Sequence, residues 1–167
     1  LKVDSAAAVG NSAAGMVCTA VSGGYNCTYT PPTALSDGSH TVTINVQDND
    51  GNAAAVKSVT YKIDTTPPVL NVTSPAAGLK TNTDTVTVSG VTSDATSSPV
   101  TVKIAVGGAD QGAVPVASDG SFSKSVPVVV GTNTIVIRAT DTAGKYTEVT
   151  RTVSINRTAP AISGITA

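Results

Sequence analysis

One segment of this sequence reads Asp37-Gly38-Ser39-His40-Thr41-Val42-Thr43-Ile44-Asn45-Val46-Gln47-Asp48, and it returns as Val130-Gly131-Thr132-Asn133-Thr134-Ile135-Val136-Ile137-Arg138-Ala139-Thr140-Asp141. The offset is 93 residues, and it holds without a gap from Gly38 and Gly131 to Pro67 and Pro160. In both copies β-branched residues alternate with polar ones, as in a strand buried on one face. A repeat of about ninety residues has the size of a whole β-sandwich domain, not of a solenoid rung or a propeller blade.

The composition predicts an all-β protein that packs a core. The chain has 167 residues, of which 40% are hydrophobic and 13% charged, with a formal net charge of −1. Val, Ile and Thr, which suit a pleated surface, are common, and the strong helix formers are scarce. A near-neutral chain offers no charge pattern for nucleic acid. Its apolar runs are too short for a membrane span.

Proline-containing joints divide the chain into modules. Asp64-Thr65-Thr66-Pro67-Pro68 follows one strand pattern and Arg157-Thr158-Ala159-Pro160 follows the next. Proline fixes φ and favours extended geometry before it, so these joints should be short and stiff. We therefore predict tandem immunoglobulin-like antiparallel β-sandwiches joined end to end. The modules cover residues 1–66, residues 67–157 and, as a linker and the start of a next module, residues 158–167.

The middle module contains seven strand patterns separated by turn residues, as in a sandwich. They are Val69–Thr73, Thr85–Val91, Val100–Val106, Ala113–Ala117, Ser121–Val128, Asn133–Thr140 and Thr147–Ile155. By the same register, the first module lacks counterparts of the first two strands. Three explanations remain open: a truncated chain, an abbreviated module, or strands supplied by a neighbouring chain.

Several stretches resemble bacterial Ig-like repeat domains. These stretches are Ala34 to Val42, Val46 to Asn52 and Asp64 to Pro68. Gly131 to Gly144 is similar to the same group, which includes Ig-like modules appended to some glucan-degrading enzymes. The resemblance implies a sandwich in a secreted or cell-surface protein. It says little about function, because such modules serve adhesins, surface layers and enzymes.

Cys18 and Cys27 are predicted to form a disulfide. They flank a tight-turn sequence, and a two-residue loop at Ser22-Gly23 would make them a non-hydrogen-bonded pair, the kind with the closer Cα atoms. Such a bond indicates an oxidising compartment. The alternative, a redox-active pair, is disfavoured because the C-x-x-C spacing is absent.

Calcium is the one cofactor that the sequence suggests. Asp48, Asp50 and Asn52 place oxygen ligands at alternating positions, and Asp64 lies at the module joint. The EF-hand spacing is not met, and the second module keeps only Asp141 of this pattern. The favoured interpretation is therefore that Asp48 and Asp141 cap their turns with side-chain hydrogen bonds.

Other residue patterns give no enzymatic site. His40 is the sole histidine, and it is predicted to be an ordinary exposed strand residue without a catalytic or metal-binding role. Tyr25 and Tyr29 share a strand face but make a poor platform for sugars. Three sequons offer candidate glycosylation sites, at Asn26, Asn71 and Asn156.

The sequence therefore predicts a non-catalytic extracellular module, a rod-like spacer or adhesive repeat of a bacterial surface protein. One alternative is a subunit of an extracellular filament assembled by β-strand donation. Another is an accessory module of a secreted carbohydrate-active enzyme. The predicted partners are neighbouring Ig-like modules or copies of the same chain, and a host or glycan ligand stays open.

Overall fold

The computed structural model describes residues 1–5, 10, 14–48 and 50–164. These residues form thirteen strands and no helix, which confirms the all-β prediction. The chain divides into two compact units, Leu1–Thr65 and Thr66–Ala167, named unit 1 and unit 2 below.

Unit 1 contains a three-stranded sheet and a separate hairpin. Its strands are β1 (Lys2–Val3), β2 (Met16–Val21), β3 (Gly24–Tyr29), β4 (Gly38–Ile44) and β5 (Lys57–Ile63). The antiparallel sheet has the order β1-β4-β5, and β2 pairs with β3 alone. The described residues of unit 1 form no strands that correspond to the first two of the middle module.

The sheet of unit 1 leaves apolar side chains in contact with solvent. Ile44, Val59 and Tyr61 are 42%, 49% and 54% exposed. Among the described residues of this unit, no hydrophobic side chain is fully buried. The described part of unit 1 therefore has strands with core-type patterns but forms no closed core.

Unit 2 is a two-sheet sandwich. Its strands are β6 (Val69–Ser74), β7 (Leu79–Thr81), β8 (Thr85–Ser93), β9 (Thr101–Val106), β10 (Ala109–Asp110), β11 (Ser121–Pro127), β12 (Gly131–Thr140) and β13 (Tyr146–Ile155). One sheet has the order β11-β8-β6, and the other has the order β10-β9-β12-β13-β7. All pairs are antiparallel except β7 with β13, which run parallel.

The core of unit 2 is formed by alternating residues from both sheets. Ile135, Ile137 and Val153 from one sheet and Val88 and Val126 from the other have no exposed surface. These five belong to a single cluster of buried side chains. Alternation along each strand explains it, because every second side chain faces the other sheet.

One contact within a sheet and one contact between the two sheets shape the packing of unit 2. Gly90 on β8 lies opposite Phe122 on β11, and a Cβ at this glycine would come within 2.8 Å of the Phe122 ring. The missing side chain thus makes room for the one phenylalanine of the chain. On the other sheet, Arg151 of β13 donates from Nη2 to the carbonyl oxygen of Val72 on β6 (3.2 Å).

Six of the seven predicted strands of unit 2 are present, and the seventh prediction is wrong. Residues 113–117 make only two isolated bridges, Val114 to Val102 and Val116 to Phe122. Pro115 separates them and has no amide hydrogen to donate, so a continuous ladder cannot form. The short strands β7 and β10 were not predicted, since two or three residues carry no detectable alternation.

The register in which β4 pairs with β5 differs by one residue from the register in which β12 pairs with β13. His40 pairs with Tyr61 on β5, whereas Asn133, which lies 93 positions after His40, pairs with Val153 and not with residue 154. In unit 1 the Gln47–Ala53 bridge and the Ile44–Lys57 pair are separated by two residues on one strand but by three residues on the other. This bulge shifts the register of β5 against the sequence repeat.

Candidate functional site

The cysteine pair closes the β2–β3 hairpin. Ser22 and Gly23 form the two-residue loop, and Cys18 lies directly opposite Cys27. Their sulfur atoms are bonded, and their Cα atoms are 4.1 Å apart. The predicted disulfide is thus present, at the close pair that the turn geometry implied. This cross-link holds β2 and β3 together and leaves no free cysteine in the chain.

The Asp48 loop is closed by hydrogen bonds of its own. Oδ1 of Asp48 accepts the amides of Asp50 (3.0 Å) and Asn52 (2.8 Å), and Oδ2 accepts the side-chain amide of Asn52 (2.9 Å). These bonds, with the Asn52 side chain first, lower the pKa of Asp48. Both oxygens therefore have donors, which is the capping geometry favoured above. Asp64, the remaining predicted ligand, follows β5 and is half-buried.

A pair of carboxylates in unit 2 is arranged differently. Oδ1 of Asp94 accepts the amides of Thr96 (2.7 Å) and Ser97 (2.6 Å), and Oδ1 of Asp141 accepts the amide of Lys145 (2.9 Å). The two carboxylates come within 4.8 Å of each other. Asp141 is 6% exposed, and its buried Oδ2 has no hydrogen-bond donor within the described part of the chain. Carboxylate oxygens in this arrangement could hold a cation such as Ca²⁺.

Asp94 was not predicted as a ligand, because it follows β8 without any ligand spacing around it. The available signal was the run Asp94-Ala95-Thr96-Ser97-Ser98, in which an Asp precedes small polar residues that its side chain can cap. That pattern predicts a turn. Its proximity to Asp141 depends on the packing of two loops that are distant in sequence.

The prediction that His40 is exposed is wrong. His40 is 8% exposed, with Nδ1 2.7 Å from Oδ2 of Asp4 and Nε2 2.7 Å from the carbonyl oxygen of Ser36. Its strand position gave a usable signal, since His40 is in phase with Val42 and Ile44, the apolar positions of β4. The carboxylate partner lies 36 residues earlier and could not be found from local sequence.

The electrostatics of this pair favour the charged forms of both groups. The Asp4 carboxylate raises the pKa of His40, and the bond to the Ser36 carbonyl adds to this shift. The Thr41 amide, followed by the His40 ring, lowers the pKa of Asp4. An Asp–His pair also occurs in hydrolases, where the second ring nitrogen faces a nucleophile. Here that nitrogen faces a backbone carbonyl, so no hydroxyl is activated.

Comparison with known proteins identifies the fold family. Residues 68–157, more than half of the chain, match the family model described as glucodextranase, domain B. The chain belongs to the glucodextranase domain B family. Residues 3–65 match a second model, described as bacterial Ig-like domain. The predicted resemblance to bacterial Ig-like domains, including those of glucan-degrading enzymes, is therefore confirmed.

The individual proteins that match this chain have low sequence identity to it. Bacillopeptidase F of Bacillus subtilis (strain 168) is 31% identical over 131 residues, which are 78% of this chain and 9% of that protein. The chain thus spans about a tenth of the length of this curated relative. The fibronectin(III)-like modules of Clostridium thermocellum CbhA align over 84% of this chain and 77% of theirs, with 17% identity and a TM-score of 0.49. A Bacteroides ovatus SGBP-B structure, in complex with a mixed-linkage heptasaccharide, aligns over 84% and 36% respectively, with 17% identity and a TM-score of 0.32.

Unit 2 also contains an open groove of about 450 Å³ beside β9. Its charged lining residues are Lys103 and Asp110, and Oδ1 of Asp110 accepts the amide of Gly112 (2.8 Å). No second carboxylate lines this groove, so a pair for acid–base catalysis is not assembled there. Within the described residues no helix is long and apolar enough to cross a bilayer.

The sequons lie on accessible positions. Asn26 on β3, Asn71 on β6 and Asn156 after β13 are all exposed. Oδ1 of Asn156 accepts the amide of Thr158 (2.9 Å), which turns the chain at its sequon. Exposure meets the steric requirement for glycosylation. Modification itself stays a prediction.

Proposed function

We propose that this chain is a non-catalytic accessory part of a secreted protein, in which its Ig-like units act as structural spacers. Membership of the glucodextranase domain B family supports a carbohydrate-active enzyme as one class of parent protein. The match to Bacillopeptidase F supports a wider range of parents. A spacer is compatible with both, because it does not act on the substrate of the parent.

The observation that carries this proposal is the structural use of the most reactive side chains. The chain has one histidine and two cysteines. His40 is hydrogen-bonded through both ring nitrogens, and Cys18 and Cys27 are cross-linked. The histidine and the cysteines, which often serve in acid–base and nucleophilic catalysis, are thus already used to hold the fold.

A replacement experiment tests the spacer function. In the secreted parent protein, residues 1–167 are exchanged for two unrelated Ig-like domains of similar length. We expect secretion, activity and attachment of the parent to be retained, because only length and solubility are required. A loss of attachment or substrate binding that the original chain alone restores would instead show a specific recognition role.

The exposed face of unit 1 favours a second candidate, a filament subunit completed by β-strand donation. Tyr61 is 54% exposed, whereas Val153, its counterpart in strand pairing, has no exposed surface in the closed sandwich of unit 2. An incomplete sheet can accept a strand through main-chain hydrogen bonds.

Light scattering over a concentration series separates the two candidates. A spacer keeps the monomer mass of 16.5 kDa at every concentration. Strand donation predicts a mass that rises in an open series, because each added chain presents a new acceptor. A constant mass would therefore exclude the filament and leave the spacer.

A further inference from the structure

Asp4 connects two parts of unit 1 that are distant in sequence. It follows β1, with φ at 50°, a left-handed conformation that Asp tolerates. Its amide donates to the carbonyl oxygen of Thr41 (2.8 Å), and its Oδ1 accepts the Thr41 amide (2.7 Å). β1 itself pairs with β4 at only two positions, Val42 and Thr43. The bonds of Asp4 therefore make up much of the attachment of β1.

The two ring contacts of His40 require two protons. The carbonyl oxygen of Ser36 can only accept, so Nε2 must donate to it. The ionised carboxylate of Asp4 also only accepts, so Nδ1 must donate as well. A neutral imidazole carries one N–H and loses one of these bonds. The observed geometry is therefore that of an imidazolium.

The other ionisable groups around the ring do not replace Asp4. Tyr61 lies opposite His40 on β5, and its side chain carries a phenol and not a carboxylate. Asp37, next to Ser36, uses Oδ1 to accept the amide and hydroxyl of Thr65 (both 2.8 Å). β4 itself has no acidic or basic residue besides His40. Within the described residues, Asp4 is the charge that acts on the ring.

We propose that Asp4 and His40 form a pH-sensitive latch, which holds the β1 segment firmly on β4 while the ring is an imidazolium and loosens this attachment when the ring loses a proton. Because the pKa of His40 is raised, its contribution is complete below the ordinary value of 6.5 and is lost as pH rises through the folded value. Because the pKa of Asp4 is lowered, its contribution is present above 3.8 and is lost as pH falls through the folded value. The latch is closed between these limits.

NMR on the complete chain tests the latch directly. His40 is the only histidine, so its ring signals need no assignment by mutation. A titration from about pH 5 to about pH 8 follows these signals together with the ¹H–¹⁵N heteronuclear NOE of Val3 and Asp4. We expect a ring midpoint above 6.5 and a fall in the NOE at the same midpoint. An NOE that stays constant through the ring titration would overturn the latch.

Three variants separate the latch from general destabilisation. His40→Asn introduces the residue found in unit 2, where Nδ2 of Asn133 donates to the Val129 carbonyl four positions earlier (2.7 Å). We expect His40→Asn to remove the pH dependence of the NOE, and Asp4→Asn to lower both the ring midpoint and the NOE of the β1 segment at all pH values. Asp119→Asn is the control, because Oδ1 of Asp119 also caps a turn by accepting the Ser121 amide (2.9 Å), but Asp119 faces no histidine. A control that shifts the midpoint as much as Asp4→Asn contradicts the proposal.

Discussion

Ile44 and Ile137 occupy the same position of the sequence repeat and have opposite environments. Ile44 is 42% exposed in unit 1, and Ile137 is fully buried in unit 2. Both follow the same alternating pattern, Ile44 as the last residue of β4 and Ile137 within β12. In unit 2 the β11-β8-β6 sheet covers this face, and the described residues of unit 1 provide no equivalent cover. Strand pattern therefore specifies which side chains face inward, and the opposing sheet determines whether that face is buried.

The largest expected effect comes from truncating this isoleucine pair. We expect Ile137→Ala to lower the free energy of unfolding of unit 2 by about 2–5 kcal/mol, because it leaves a cavity in a packed core. Ile44→Ala should cost less than about 1 kcal/mol, because water already reaches its side chain. Urea unfolding followed through NMR signals of each unit measures both. Equal costs would mean that the face of unit 1 is covered in solution.

Reduction of the disulfide should affect unit 1 alone. The bond closes a loop between residues 9 positions apart, and loss of such a cross-link costs about 2–3 kcal/mol through the entropy of the unfolded chain. We expect reductant to remove hydrogen-exchange protection from the β2–β3 hairpin. Unit 2 contains no cysteine and serves as the internal control. Loss of protection in both units would contradict this assignment.

A smaller effect is expected at the polar residue in the third position of each matched strand. His40 and Asn133 are 8% and 5% exposed, and each binds a carbonyl four positions earlier. Asn133→Ala should cost about 1–3 kcal/mol, because it leaves the Val129 amide and carbonyl without their partners. This cost should not change with pH, in contrast to that of His40→Ala. Unfolding curves at two pH values test the contrast.

The smallest expected effect concerns calcium and compares the acidic loops of the two units. At ten times the dissociation constant a bound ion stabilises the folded state by about 1.4 kcal/mol. We expect any calcium-dependent rise in melting temperature to disappear in Asp141→Asn and to persist in Asp48→Asn. Both oxygens of Asp48 already have amide donors, whereas Oδ2 of Asp141 has none among the described residues. The opposite result would support the loop predicted from sequence.

The sequence predicted the strands of unit 2 well because each contains enough β-branched residues to show alternation. It was wrong at residues 113–117, where Pro115 interrupts a pattern that alternates on either side. It missed the three residues of β7, which form a strand only because β13 lies beside them. Local pattern cannot report such pairing, which depends on residues far away in the chain.

Among the site residues, too, contacts within a short segment could be predicted, and contacts between distant segments could not. The Cys18–Cys27 bond could be predicted because the turn and both cysteines lie within one short hairpin. The pairs Asp4–His40 and Asp94–Asp141 could not, because each depends on the approach of segments separated by 36 residues or more. The burial of His40 was nevertheless visible in its phase with Val42 and Ile44.

The parallel pairing of β7 with β13 has a mechanical consequence for a spacer. The pairing joins Leu79 to Val153 and Thr81 to Ile155, and it is flanked by amide–carbonyl bonds from Gly78 to Thr152 and from Asn156 to Thr81 (both 3.1 Å). Tension that reaches β7 from its amino end and β13 from its carboxyl end pulls two parallel strands in opposite directions along their axes. The hydrogen bonds between them then carry the force side by side and must break together, not one after another. Unit 2 should accordingly resist stretching along the chain, because forced unfolding is governed by the unfolding rate and thus by the height of that barrier.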